Sequence, residues 1–188
     1  MWPHAAFRAL PRHPPPSIYK QHKNNIINAM KSTRFLNESQ TVLVKQSWPM
    51  IVSNNFWTTF YINLFKRSPS YQLQFDRFAH VPSEELESNV HFLAHTFRTG
   101  FAFNTAIEFL EIPDELHKIL VDLGEKHRKF RLTVEHFEIV KDLLICMIED
   151  RVVPTDVPVR DALLVEAWKQ CITLVIGVIM DSATATVN

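Results

Sequence analysis

Of the nine histidines in this chain, three stand where an imidazole could hold a metal: His91, His95 and His127. His91 and His95 are one helical turn apart in the segment HFLAH, so they share a face. Zinc proteases use such a pair, but HFLAH lacks the glutamate needed as base and has no obvious third ligand, which argues against zinc chemistry. His127 closes a stripe of Leu116, Leu120 and Leu123, spaced as one helical face, and Arg128-Lys129-Phe130-Arg131 follows it. A lone imidazole ending an apolar stripe is either a satisfied core residue or a ligand. His4, His13 and His22 lie in the N-terminal tail, and His80, His117 and His136 read as solvated.

These side chains need elements to carry them, and the signals are helical. Asn37 with Gln40 reads as a cap and its reciprocal partner, opening a helix that carries Val42, Val44 and Trp48. A second helix is expected from about Asn55 to Arg67, stopped by Pro69. A long helix from Ser83 is expected to bury Leu86, Val90, Leu93, Ala94, Phe97 and Phe101. Pro113 opens the helix of His127, and Thr133 opens one through Phe137, Ile139, Leu143 and Met147. The last helix begins near Pro158 and runs to about Met180. No strand alternation or internal repeat is visible. The expectation is an all-α domain of six to eight helices.

Composition agrees. The 188 residues suffice for one domain, 46% hydrophobic and 21% charged. Three glycines leave little material for hairpin turns, and fourteen phenylalanines suggest a core around something flat and apolar. Six of the twenty basic side chains and none of the twenty acidic ones lie in residues 1–36, leaving 14 basic and 20 acidic groups in the remainder. A body of that charge is a poor nucleic-acid binder. Residues 1–36 read as a basic, proline-containing extension. Within it, Ser17 to Ser32 could form a short amphipathic helix through Ile18, Ile26, Ile27 and Met30. A mobile tail and a docking, membrane-surface or targeting segment both remain open. Residues 37–181 form the expected domain and 182–188 a tail. Cys146 and Cys171 are expected as reduced core thiols in a cytoplasmic protein.

At this point the chain resembles the globin family over about residues 37–181, closest to neuroglobin-like, hexacoordinate invertebrate globins. LFKRSPSYQLQFDRF, Leu64 to Phe78, is similar to the stretch joining the second helix to the haem-edge loop. FLAHTFRTG, Phe92 to Gly100, resembles a distal helix, and LGEKHRKF, Leu123 to Phe130, a proximal segment. Thirty-two residues separate His95 from His127, as in that family, and Phe137 lies ten beyond. Trp48 and the Glu166 to Trp168 segment match landmarks of the first and last helices.

The resemblance implies a globin fold holding haem b, iron protoporphyrin IX. His127 would be the proximal ligand and His95 would stand on the distal side. Leu123 would pack under the ring, with Phe75, Phe92 and Phe137 at its faces and edges. Arg77, Arg98 and Arg131 match positions near the propionates. Tyr61 and Thr99 stand where an aliphatic or phenylalanine and a valine are usual, making the distal side more polar. Trp57 and Thr96 match a helix crossing where small residues are usual.

The functional expectation is a bis-histidyl protein for redox or electron-transfer signalling, or for sensing oxygen or nitric oxide, rather than bulk storage. Its partners would be haem, a diatomic gas (oxygen, nitric oxide or carbon monoxide) and a redox protein. The alternative is a reversible oxygen carrier in which Tyr61 and His95 stabilise the ligand. Nitric oxide dioxygenation, nitrite reduction and a haem-free domain are further readings. The apolar stretch from Cys171 to Met180 reads as either a buried helix or a homodimer stripe.

Overall fold

A computed structural model describes residues 36–52, 55–152 and 158–185. The expected segment at 17–32 lies outside them. Among the described residues there are six α-helices and no strand: α1 (Glu38–Ile51), α2 (Phe56–Arg67), α3 (Val90–Glu108), α4 (Pro113–His127), α5 (Val134–Glu149) and α6 (Pro158–Thr184). Short 3-10 segments lie at Pro69–Gln74, Leu86–Ser88, Phe109–Glu111 and Arg128–Phe130.

Helix starts follow side-chain chemistry. Gln40 N donates to Asn37 Oδ1 at 2.8 Å, and Asn37 N donates to Gln40 Oε1 at 3.0 Å, satisfying two amides that the first turn leaves orphaned. Pro113 opens α4, where its missing N–H costs nothing. At α5, Thr133 N donates to His136 Nδ1 at 3.1 Å, and the His136 ring stacks on Tyr71. His136 is therefore a half-buried capping group rather than the solvated residue expected.

The distal helix departs from expectation at its start and its phase. It begins at Val90 rather than Ser83, because Asn89 Oδ1 accepts from the amides of His91 and Phe92 and caps it there. Of the expected buried stripe only Leu86 is buried. Val90, Phe97 and Phe101 are 69%, 75% and 67% exposed, and Leu93 and Ala94 are exposed as well. The buried face is Phe92, Thr96, Phe103, Ala106 and Ile107. Apolar residues lie on both sides of this helix, so periodicity alone did not determine which side turns inward.

α6 is the central element, packed against α1, α4 and α5. It is long and apolar enough to cross a membrane by length and composition. Its apolar side chains are used in the core, however: Trp168, Cys171, Ile172, Val175, Ile176, Val178 and Ile179 are all buried. Burial therefore accounts for the apolar stretch at 171–180. Each such aliphatic side chain contributes about 1.5–3 kcal/mol relative to exposure. Trp168 Nε1 donates to Ser47 Oγ at 2.9 Å, and Ser47 donates to the Leu43 carbonyl at 2.7 Å, so the α1–α6 contact buries no orphan there. α6 also continues to Thr184, past the expected boundary at Met180.

Two aromatic groups account for much of the phenylalanine content. One joins Trp48, Phe56, Trp57, Phe103 and Trp168 where α1, α2, α3 and α6 meet. The other gathers Tyr61, Phe65, Phe75, Phe78 and Phe92 around the inner face of α3. α2 and α3 approach closely because Gly100 has no side chain: a Cβ there would lie 2.8 Å from Trp57 Cδ1. The small residue at this crossing is therefore Gly100, one turn beyond Thr96. The Trp57 Nε1 is buried without a hydrogen-bond partner among the described residues.

Candidate functional site

α4 delivers His127 at its C-terminal end, and the local backbone sets the ring's chemistry. His127 Nδ1 lies 2.7 Å from the Leu123 carbonyl, which can only accept. Nδ1 therefore carries the proton, and in the neutral ring the Nε2 lone pair is left for a metal. Metal-ligating histidines commonly carry this second bond, which fixes both tautomer and orientation. Phe130 and Phe137 flank the imidazole at 6.1 and 6.5 Å between ring centroids, and Leu123 is half-buried one turn before it.

The seat of α4 was not visible in the sequence. Gly124 packs so closely on α6 that a Cβ would lie 2.5 Å from the Ile179 carbonyl oxygen and 2.6 Å from Ser182 Cβ. Ser182 Oγ donates to the Val121 carbonyl, and Arg128 Nε donates to the Ser182 carbonyl, both at 2.9 Å. Gly124, Ser182 and Arg128 thus clamp the helix that carries His127. The available signal was a glycine inside a helical stripe, which costs about 1 kcal/mol against alanine and so needs a packing reason.

On the other side, α3 delivers His95 half-buried, while His91 is exposed. The His95 ring packs against Tyr61 and Phe75, each at 4.8 Å between centroids. Its Nε2 lies 2.9 Å from the Tyr61 hydroxyl, which is 3.0 Å from Thr99 Oγ1. Thr99 Oγ1 in turn donates to the His95 carbonyl at 3.2 Å. The three polar groups thus form one network inside an aromatic wall. Burial, reinforced by the nearby Arg98 guanidinium and by His127, lowers the His95 pKa to about 4, so the His95 imidazole is neutral near pH 7. Burial raises the Tyr61 phenol to about 12 against the opposing effects of Thr99 and Arg98, so it remains a hydroxyl.

Two neutral-capable imidazoles thus stand close enough to affect one another, within an aromatic and leucine lining. Such a donor set fits a haem: an imidazole would hold its iron and the aromatic and leucine side chains would line its flat apolar ring. Phe92 is fully buried behind this wall, against Phe65 and Phe78. Arg77, Arg98 and Arg131 are exposed, and only Arg98 is close enough to influence Tyr61 and His95. Cys146 is exposed rather than in the core; Cys171 is buried, and both thiols are free.

Comparison with known proteins agrees with the fold that carries these residues. The chain is 24% identical over 129 residues to cytoglobin-1 of Oryzias latipes, covering 66% of this chain and 73% of that protein. It is 25% identical over 114 residues to cytoglobin-2 of Danio rerio, covering 58% and 64%. Among solved structures it superposes on the hexa-coordinate haemoglobin of Drosophila melanogaster with a TM-score of 0.67 at 23% identity, covering 77% of this chain and 93% of that one. The ferric myoglobin of Aplysia limacina gives the same TM-score at 17% identity, covering 80% and 99%. The globin family model matches residues 58–179, and the chain belongs to the globin family, whose membership implies a haem cofactor.

Proposed function

We propose that this globin binds haem b between His127 and His95 and works in redox signalling or in the sensing of oxygen or nitric oxide, rather than in bulk storage. When bound, the haem supplies an iron that exchanges electrons or takes a diatomic ligand. The chain's own residues set the rest. His127 is held in the tautomer that presents Nε2, and His95 is a neutral imidazole within a desolvated wall, close enough for His127 to act on it. That pairing is the observation carrying the proposal. The similarity to a Drosophila protein described as hexa-coordinate supports it. An internal ligand that holds the sixth position 99% of the time lowers apparent gas affinity about a hundredfold, which suits gated exchange better than storage.

The Tyr61–His95 contact favours a second reading. With Nε2 engaged by the hydroxyl, His95 and Tyr61 form a polar cap suited to hydrogen-bonding a diatomic ligand. Absorption spectra of the ferric and ferrous protein, followed by carbon monoxide addition, separate the two. Sharp low-spin ferrous bands with slow ligand uptake support bis-histidyl ligation. A high-spin ferrous spectrum that shifts at once with carbon monoxide overturns it in favour of the second reading.

A further inference from the structure

The indole nitrogens of Trp48, Trp57 and Trp168 are satisfied unequally. Trp57 Nε1 is buried and has no hydrogen-bond partner among the described residues. Trp168 Nε1 donates to Ser47 Oγ, itself buried. Trp48 Nε1 donates to Oδ1 of Asn104, an exposed residue of α3. A buried N–H left unpaired costs stability, so the place of Trp57 calls for a reason beyond packing.

Trp57 also stands in a row of rings in contact. Tyr61, whose ring packs on His95, lies 5.1 Å from Phe60 between centroids, and Phe60 lies 5.8 Å from Trp57. Trp57 lies 6.3 Å from Trp48. All three separations are those of aromatic pairs in contact. The row runs from the wall of the His95 site, through the core, to an indole N–H with a route to solvent.

We propose that Trp57 and Trp48 carry oxidising equivalents out of the haem pocket, with Trp48 as the end of the path. The proposal rests on the haem reading above, and its oxidant is hydrogen peroxide reacting at the bound haem. Indole is among the most easily oxidised side chains, whereas the phenyl ring of Phe60 resists oxidation and serves as a bridge.

Proton exits decide where the path ends, because an oxidised indole or phenol settles as a neutral radical only after losing its proton. The Tyr61 hydroxyl faces only Thr99 and His95; burial raises its pKa to about 12 and lowers that of His95 to about 4, so neither neighbour is a ready base. Trp57 has no acceptor among the described residues, and Trp168 meets a buried hydroxyl. The proton of Trp48 reaches water through Asn104. Each Trp48 oxidised gives up one electron and this proton. One hydrogen peroxide takes two of each from two such chains, its O–O bond breaks, and it leaves as two waters, with the haem back in its starting state.

The test uses the full chain loaded with ferric haem, its Soret band read first. Hydrogen peroxide is added with a nitroso spin trap, and peptide mass mapping finds the trapped residue. The adduct is expected on Trp48. Trp57→Phe should cut it several-fold and move it to Tyr61. Asn104→Leu should also cut it several-fold, whereas Asn104→Asp, a better proton acceptor, should raise it. Trp168→Phe should leave the adduct on Trp48 unchanged. The Asn104 pair lies at the surface and decides the matter if Trp57→Phe does not fold. A Soret band with an adduct confined to tyrosine in the wild type would overturn the relay. So would an adduct on Trp48 that neither Trp57→Phe nor Asn104→Leu reduces. Absence of a Soret band would overturn the haem reading, and the relay with it.

Discussion

The Tyr61 hydroxyl lies 2.9 Å from Nε2 of His95, the nitrogen that an axial bond to iron would require. Hydrogen bookkeeping makes the two uses exclusive. Thr99 donates to the His95 carbonyl and so accepts from Tyr61, which leaves Tyr61 Oη to accept from an Nε2–H. In that pattern Nε2 has no lone pair to give. If instead Tyr61 donates to Nε2, the lone pair is already engaged. Either way, ligation needs this bond broken.

Tyr61→Phe should therefore shift the haem-loaded protein toward bis-histidyl ligation. One neutral hydrogen bond is worth about 1 kcal/mol, or roughly a fivefold change in the ratio of low-spin to high-spin protein. The ferrous absorption spectrum and the fraction of fast carbon monoxide uptake measure it. An unchanged spectrum would show that the hydroxyl does not compete for His95.

The haem-free protein should lose stability as pH falls from about 6.5 toward 4. His95 has its pKa lowered to about 4 in the folded chain, mainly by burial, against 6.5 for a free imidazole. Between those values the unfolded chain binds a proton that the folded chain refuses, so acid favours unfolding. The full effect, reached below pH 4, is about 3 kcal/mol. Urea midpoints of wild type and His95→Leu across this range check it: the wild-type slope should exceed the variant's by one proton's worth.

How far the sequence foretold this site follows from which interactions are local. The starts of α1, α4 and α5 were legible because Asn37, Pro113 and Thr133 act within one turn of themselves. The leucine stripe leading to His127 was legible because α4 is apolar on one side and charged on the other. The phase of α3 was not, since Val90, Phe97 and Phe101 compete with Phe92, Phe103 and Ile107, and only packing against α2 decides between them. Gly124 and Ser182 escaped for the same reason, because their roles exist only where two distant helices touch.

Gly124→Ala should lower stability although alanine is the better helix former. The propensity gain is about 1 kcal/mol, whereas overpacking costs about 1–3 kcal/mol and here meets a backbone oxygen that cannot rotate away. A lowered Tm together with faster haem loss to a scavenging apoprotein is expected. Gly100→Ala, which meets the Trp57 side chain, should lower Tm without the same haem loss.

The two thiols should react very differently. Cys171 is fully buried and its pKa is pushed up to about 12, whereas Cys146 is exposed, with a pKa raised by partial burial and by Asp150 and Glu149. Iodoacetamide should modify Cys146 in the native protein, faster as pH rises, and Cys171 only after denaturant is added. Peptide mass mapping reads both.

The Ser182 clamp also bears on how this protein is made. Val121 on the helix of His127 and Arg128 just after it both bond to Ser182 in the last turn of α6. A ribosome-bound chain that has already released α4 therefore has no seat for it, and His127 is not held until residue 182 has emerged. Haem retention thus waits on the last turn of α6, and a chain cut just before residue 182 would hold the helix of His127, and so its haem, poorly.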